Sequence, residues 1–561
     1  MSTVKRAFFY TVSFITLGIF AGGVGSLLAL CFDLLIRGES WKDFARAQLS
    51  LGLAMLVIGG VLWFLFWRVT QKQVSGEPAE IESLIRKFYL NVIRGVAALV
   101  GIVALVGFIN WLMTGVPLDN FPSTGLSILV VAGSIWCYHW RLEEGEGQPT
   151  PDSKTLRRWY IYVLAAFGLI SMANGAIQGI NTAVFSLPVW GGDVVHGDFW
   201  SGDFPANLSW FLVGGLTWWF HWFYMAKGDT ESILRQVYIY LLAITGGALA
   251  GLSALTFLLF KLFSFAFEGA GTAGNSYFLF LGWTIPTMIV AGAIWTYHQK
   301  IAQEEAGQGG EQKLSPRRIY LYLMSFIGLG TLIGGLSALL GTLLGLIIRA
   351  VGTETVAASG WWYDQLSISL ALLVVGLPIW LFYWRRVLRM TEEGGVAERG
   401  AGSRRVFLYV VVGISIIAVA TDLVIIVYQL LNGLLQGETG ADILRGMAWS
   451  LQTLLVAVPV LVYHWRILRK DQGMGAEKLA RRKRVHLIAG EGAADLIASI
   501  EGKLGSRVRL LRYTGEAPAE LPVLSDEEIE TLVNEIRTTP GNGVILVVTE
   551  GRVMVLPYEE K

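Results

Sequence analysis

The same two phrases frame one apolar run after another in this chain, and that repetition restricts its fold more than any other feature. RRWYIY begins at Arg157, RQVYIY at Arg235, RRIYLY at Arg317 and RRVFLY at Arg404, with degraded copies KRAFFY at Lys5 and RKFYLN at Arg86. A second phrase follows each start by 50 to 63 residues: WFLFWR at Trp63, WCYHWR at Trp136, WWFHWF at Trp218, WTYHQK at Trp295, WLFYWR at Trp380 and LVYHWR at Leu461. The runs between phrases reach the roughly 20 apolar residues that cross a bilayer. Only 16% of residues are charged, against about 25% in soluble proteins. The pattern reads as a multi-pass membrane protein.

Each unit is a two-helix hairpin, opened by cation-cation-aromatic and closed by Trp-x-aromatic-His-Trp-Arg. Six such units, at about 5–68, 86–141, 157–225, 235–300, 317–386 and 404–468, predict an all-α membrane domain over 1–470 with about twelve transmembrane helices. First helices of about 25–30 residues and second helices of about 18–22 are expected. An even number of spans per unit points all six hairpins the same way, unlike inverted-repeat transporters. The N-terminal run continues to about Ile36, too long for a signal peptide, and reads as an uncleaved first span. Cys31 and Cys137 fall near opposite faces on this topology, so no disulfide is expected.

Lys and Arg counts set the orientation. The segments joining units, with the N-terminus, hold 22 of the 29 cations before residue 466, and the loops inside hairpins hold six. Arg94, a short way into the third span, is expected to snorkel back to the surface. Both termini are therefore expected in the cytoplasm, beneath a plasma membrane.

Both phrases then lie at the cytoplasmic ends of their helices. One reading is a ligand-binding ring of His139, His221, His298 and His464 with Tyr160, Tyr238 and Tyr320. The plainer one, favoured here, is a set of interfacial anchors whose aromatic bodies and polar tips suit the headgroup layer. Small residues recur between the anchors, as in Gly18-Gly22-Ser26, Gly175-Gly179, Gly247-Gly251 and Gly330-Gly334-Ala338-Gly341-Gly345. Such stripes let helices approach closely; a pore lining is the alternative.

Candidates for chemistry inside the spans are few. Asp422, with Asn174 at nearly the same place in the third unit, is the best candidate ion or ligand site; a carboxyl protonated or bonded to a neighbouring helix is the plainer account. His196 with Asp193, Asp198 and Asp203 matches no standard ligand spacing and reads as a solvated loop. No Walker loop, nucleophile motif or zinc-protease helix occurs. Neither enzymatic activity nor a cofactor is expected.

After the spans, a basic linker over 471–484 carries Arg481, Arg482, Lys483 and Arg484, suited to anionic lipid headgroups or to holding the topology. Residues 485–561 then hold 13 acids and seven bases. Their order reads β-α-β-α-β-β, a small cytoplasmic α+β domain whose second helix opens on a capping box, Ser525 to Glu528. Gly490 and Gly492 read as a structural turn rather than a phosphate loop. The lipid bilayer is the expected partner, and nucleic acid is not.

The Arg-Arg-x-Tyr-x-Tyr and Trp-x-Tyr-His-Trp-Arg phrases resemble those of bacterial polytopic membrane proteins built from a repeated two-helix domain of unknown function, over about 1–470. The resemblance implies a bacterial inner membrane and supplies no catalytic residues. A non-enzymatic scaffold or sensor presenting the C-terminal domain is the leading expectation; a transporter or channel among the Gly-rich helices is the alternative.

Overall fold

The computed structural model describes residues 3–37, 43–76, 78–147, 150–187, 200, 203–230, 232–268, 275–306, 314–351, 360, 362–481, 484–489, 493–504, 507–512, 524–539, 543–549 and 552–558. The described chain is mostly helical. In order it forms α1 (Thr3–Leu35), α2 (Asp43–Gly76), α3 (Pro78–Ile81), α4 (Leu84–Met113), α5 (Ser123–Glu144), α6 (Pro151–Phe185), α7 (Phe204–Trp219), α8 (Ile233–Val237), α9 (Thr245–Glu268), α10 (Leu281–Ala306), α11 (Leu314–Val351), α12 (Tyr363–Glu393), α13 (Gly395–Arg399), α14 (Gly402–Gln436) and α15 (Gly440–Arg481). It divides into two compact units, one running to Trp384 with Thr439–Ala448, the other Arg385–Glu438 with Trp449 onward.

Among the described residues, ten helical segments are long and apolar enough to cross a membrane, which suits a multi-pass membrane protein. α5 and α7 are outside the ten. α7 is 16 residues long before a π-helical turn, Phe220–Met225, takes over. Second helices also run longer than expected, 34 residues in α2 and 42 in α15, because the chain stays helical past the closing phrase. The expected linker over 471–484 is thus helical as far as Arg481. Large apolar side chains such as Ile417, Val424, Ile58 and Phe64 are exposed along the helices, a surface that suits lipid rather than water.

In the first unit each hairpin closes on itself: α1 packs on α2, α4 on α5, α6 on α7 and α9 on α10. First helices also reach forward, α1 onto α5, α4 onto α7 and α6 onto α10. The small residues that permit the tightest crossings are mostly not those of the expected stripes. A methyl at Gly23 would lie 2.5 Å from the Leu56 backbone nitrogen, at Gly168 2.5 Å from that of Trp218, and at Gly328 2.6 Å from that of Trp380. On the second helices Gly59, Gly214 and Gly376 make the reciprocal approaches, each four residues before the closing-phrase Trp. The second, fourth and sixth hairpins place Ala132, Ala291 and Ala457 there instead, and Gly101 and Gly251 meet the alanine methyls at an ordinary 3.5 Å. Of the expected stripes, Gly175 sits against the Phe211 backbone and Gly22 against the Met55 side chain, whereas Gly18 and Gly330 face open space. Tight and looser hairpins alternate.

The C-terminal domain follows the expected order: β1 (Arg484–Ala489), α16 (Ala494–Leu504), β2 (Val508–Arg512), α17 (Asp526–Thr538), β3 (Gly543–Thr549) and β4 (Arg552–Tyr558). The strands lie in the order β2-β1-β3-β4, parallel except for the β3-β4 pair. Val485, Leu487, Val544 and Leu546 alternate onto one face and meet Ile500 of α16 and Ile529, Leu532, Val533 and Ile536 of α17. Ser525 caps α17 in the expected box with Glu528, whose carboxylate accepts from the Ser525 backbone N–H and is held below its usual range. Gly490 and Gly492 lie outside the described residues.

The glycine contacts carry a test. Gly168→Ala should cost about 1–3 kcal/mol, since backbone rather than a flexible side chain blocks the methyl. Gly18→Ala should be neutral. Thermal unfolding of the full chain in detergent, followed by tryptophan fluorescence, checks both; equal effects at the two positions would contradict the alternation.

Candidate functional site

Polar groups that apolar helices bury must find partners nearby, and in this chain they do so where the two phrases of each hairpin meet. In five hairpins a cation from the opening phrase bonds a carboxylate that follows the closing phrase. Arg6 donates to Glu80 (2.6 and 2.7 Å), Arg86 to Glu146, Arg158 to Asp229 (2.9 Å from Nε), Arg235 to Glu305 (2.9 and 2.7 Å) and Arg404 to Asp471 (2.6 Å). The separations run from 60 to 74 residues, so each pair clamps one hairpin. The first and third hairpins use the second residue of their cation pair, the fourth and sixth the first residue of the phrase, and in the second both Arg86 and Lys87 bond Glu146. Aromatic rings cover the charges: the Arg235 guanidinium lies 4.3 Å from the Trp222 ring. Sequence reading counted these cations for orientation and overlooked their acids, although an acid follows the closing phrase in each of these hairpins.

The four histidines lie one layer further in. Each is buried and each donates Nδ1–H to the carbonyl four residues earlier: His139 to Ile135, His221 to Thr217, His298 to Ile294 and His464 to Val460, at 2.8 or 2.9 Å. A carbonyl only accepts, so Nδ1 carries a proton. Each ring packs against an aromatic of its own opening phrase: His139 on Tyr89, His221 on Tyr160, His298 on Tyr238 and His464 on Phe407, with centroids 5.6 to 6.1 Å apart. In the fifth hairpin Tyr383 stands at that position and shares a 2.6 Å hydrogen bond with Tyr320. His139 and His298 also pack against aromatics of the preceding hairpin, Trp67 and Trp222, with centroids 5.8 and 5.7 Å apart.

The anchor expectation also changes. Tyr160, Tyr238 and Tyr320 are buried, and the exposed aromatics are other members of the phrases, such as Trp159, Trp219 and Tyr224. The buried tyrosines join neighbouring hairpins. Trp136 Nε1 donates to Tyr160, Trp218 Nε1 to Tyr238 and Gln299 Nε2 to Tyr320, each from one hairpin to the next. Trp67 to Tyr138 and Trp222 to Tyr297 add a second set, from the first hairpin to the second and the third to the fourth. Around Trp222 and Tyr238 the backbone itself widens into π-helical turns, Phe220–Met225 and Tyr238–Ile244; such turns accommodate an extra residue in a helix.

The remaining candidates separate. Asp422 is buried on α14 with Ser450 as polar neighbour and one oxygen without a partner, whereas Asn174 is exposed on α6. Registered on the opening phrases, Asp422 aligns with Gly175 and Gly23, not with Asn174, so the two do not form one site type. Arg94 does not snorkel: it is buried, paired with Glu143 and held between the Trp140 and Tyr160 rings. The ion pair and the two rings hold it in the interior. His196, Asp193 and Asp198 lie outside the described residues, and Asp203 is the N-cap of α7. Arg482 and Lys483 are also outside them; Arg481 ends α15 and Arg484 opens β1. Cys31 and Cys137 are free and exposed. Among the described residues no group of three or more His, Cys, Asp or Glu is placed to hold a metal.

A model of DUF5671, a domain of unknown function, matches residues 6–119, 158–285, 236–347 and 318–444. The chain belongs to the DUF5671 family. The matches begin at Arg6, Arg158, Gln236 and Arg318, the second residue of four opening phrases, and the last three overlap. The DUF5671 pattern therefore matches repeatedly along the chain. No curated protein and no solved structure matches the chain.

Two measurements follow. Glu305→Gln leaves the buried Arg235 without its carboxylate and should destabilise by about 3–5 kcal/mol; Asp229→Asn, at the more exposed Arg158, should cost clearly less. Detergent thermal unfolding ranks them. Second, the Arg6 hydrogen bonds hold the Glu80 carboxyl at about 2, down from 4.5. A lowered folded-state pKa adds stability above pH 4.5 that disappears as pH falls through 2. Amide exchange over 78–81 should accelerate only in that window, and Arg6→Gln should move the change up to the ordinary glutamate range.

Proposed function

We propose that this chain is a non-enzymatic membrane scaffold or sensor: six parallel hairpins, twelve spans, with both termini in the cytoplasm and the C-terminal α+β domain presented there. The observation that supports it is how the buried ionic groups are spent. Each clamping cation bonds an acid of its own hairpin, and each histidine bonds its own helix and packs on its own opening phrase. Groups committed to holding helices together suit a fixed platform. A transport path needs polar groups that exchange partners with a moving solute.

A transporter or channel is the second reading, favoured by one feature. A cavity of about 530 Å³ lies among α1, α2, α4 and α5, lined by Gly18, Gly22, Gly25 and Ser26 with Ile93, Val100 and Ile135. Its walls are mostly apolar, which suits a lipid chain better than an ion.

Cysteine labelling separates the readings. In a Cys31→Ser, Cys137→Ser background, Gly25→Cys should react with a lipophilic maleimide and resist a membrane-impermeant one from either side. Reaction with the impermeant reagent favours a path. Reporter fusions after Gly76, Gly147 and Gly400 should register cytoplasm, and those after Asp119 and Gly352 the outside; a reproducible inversion removes the hairpin model.

A further inference from the structure

The hairpin repeat is broken at one buried position pair, and the break opens a pocket. Registered on the opening phrases, Arg94 occupies a place filled elsewhere by Ser13, Ala165, Ala243, Ser325 and Val412. Registered on the closing phrases, Glu143 occupies a place filled by Thr70, Met225, Ala302, Val387 and Leu468. The two exceptions fall in the same hairpin and bond one another. A buried pair added to a single copy costs desolvation that its five counterparts avoid, so packing alone does not account for it.

Beside the pair is a cavity of about 300 Å³ among α4, α5 and the start of α6, lined by Lys87, Arg94, Trp140, Glu143, Glu144 and Arg157. Arg94 is 2% exposed, and its Nε has no hydrogen-bond partner. Its guanidinium stacks between Trp140 and Tyr160, with centroids at 4.7 and 4.5 Å, and so cannot swing away. Lys87 is bound to Glu146 and Arg94 to Glu143. Arg157 makes no ion pair among the described residues, although it stands close enough to Arg94 for the two cations to repel. Both guanidinium groups line one cavity, Arg94 held by its ion pair and the two rings, Arg157 uncommitted.

We propose that this pocket binds a phosphate group, with Arg157 as its donor and the Arg94 guanidinium as a fixed positive charge in its wall. Guanidinium matches phosphate oxygens by paired N–H donors. Glu144, exposed at the rim, leaves room for a cationic substituent on the phosphate, as a zwitterionic headgroup carries. Two sources share this chemistry: the headgroup of a membrane phospholipid, and free phosphate. The pocket belongs to the second and third hairpins and does not depend on whether the chain is a scaffold or a transporter.

The test is ligand binding to the full chain in detergent, by native mass spectrometry and thermal shift, with dihexanoyl phosphatidylethanolamine, dihexanoyl phosphatidylglycerol and inorganic phosphate as probes. Wild type should retain at least one of them. Arg157→Gln should weaken binding about tenfold, as expected for losing one charge-assisted donor. Arg157→Lys should recover part of it. The double variant Arg94→Gln, Glu143→Gln, which leaves no unpaired buried charge, should also bind weakly, while Lys300→Gln on exposed α10 surface should bind as wild type. Binding of the lipids alone assigns the headgroup, and equal binding of inorganic phosphate assigns the free anion; both support the pocket. If none of the probes binds, or if Arg157→Gln and the double variant bind like wild type, the proposal is wrong.

Discussion

An arginine at the end of an apolar helix is stable in the interior only when a carboxylate is delivered to it, and the hairpin is the device that delivers it. The guanidinium stands on the first helix and the acid follows the second, 60 residues away in the Arg86–Glu146 pair and 74 in Arg6–Glu80. Unpaired, such a charge would cost several kcal/mol. Bonded, it fixes the register of the two helices, because sliding either by one turn, about 5.4 Å, breaks a contact of less than 3 Å. The aromatic–histidine pairs then pack immediately beneath these clamps, and the Trp-to-Tyr bonds pass the register to the next hairpin.

Where the charge clamp sets register, the glycines set distance. Odd-numbered hairpins bring backbones together at Gly23, Gly168 and Gly328 on the first helix and at Gly59, Gly214 and Gly376 on the second. Even-numbered ones carry alanine at the second-helix position, and in the second and fourth a glycine of the first helix faces its methyl. The choice of clamping cation follows the same parity in the first, third, fourth and sixth hairpins. Hairpins therefore differ in pairs, and Arg94 with Glu143 is a further elaboration of one even-numbered copy rather than part of the common plan.

Much of this was open to reading in the linear chain. The six phrase pairs, the apolar runs and the β-α-β-α-β-β order of the last 77 residues all appear in the structure, because each rests on local periodicity, capping or turn chemistry. The clamping acids and the glycine alternation were also present in the letters, the acids 10 or 11 residues after the start of the closing phrase in four of the five clamped hairpins. They were missed because a charge count treats each cation as a topology marker and a small-residue stripe carries no partner. The histidines misled in a different way. Their spacing placed them at one depth but could not show that each bonds its own helix and packs on its own opening phrase.

By itself, then, the sequence determined the repeat, the helical character of the runs and the C-terminal α+β order, since these follow from interactions among residues a few positions apart. Only the tertiary structure decided which small residues touch, that Tyr160 and Tyr238 are buried keys rather than headgroup anchors, that Asp422 and Asn174 have unrelated surroundings, and that Arg94 stacks between two rings. Each depends on the rotation of one helix against another. That rotation is set by the sum of many contacts across the hairpin, and no single stretch of chain encodes it.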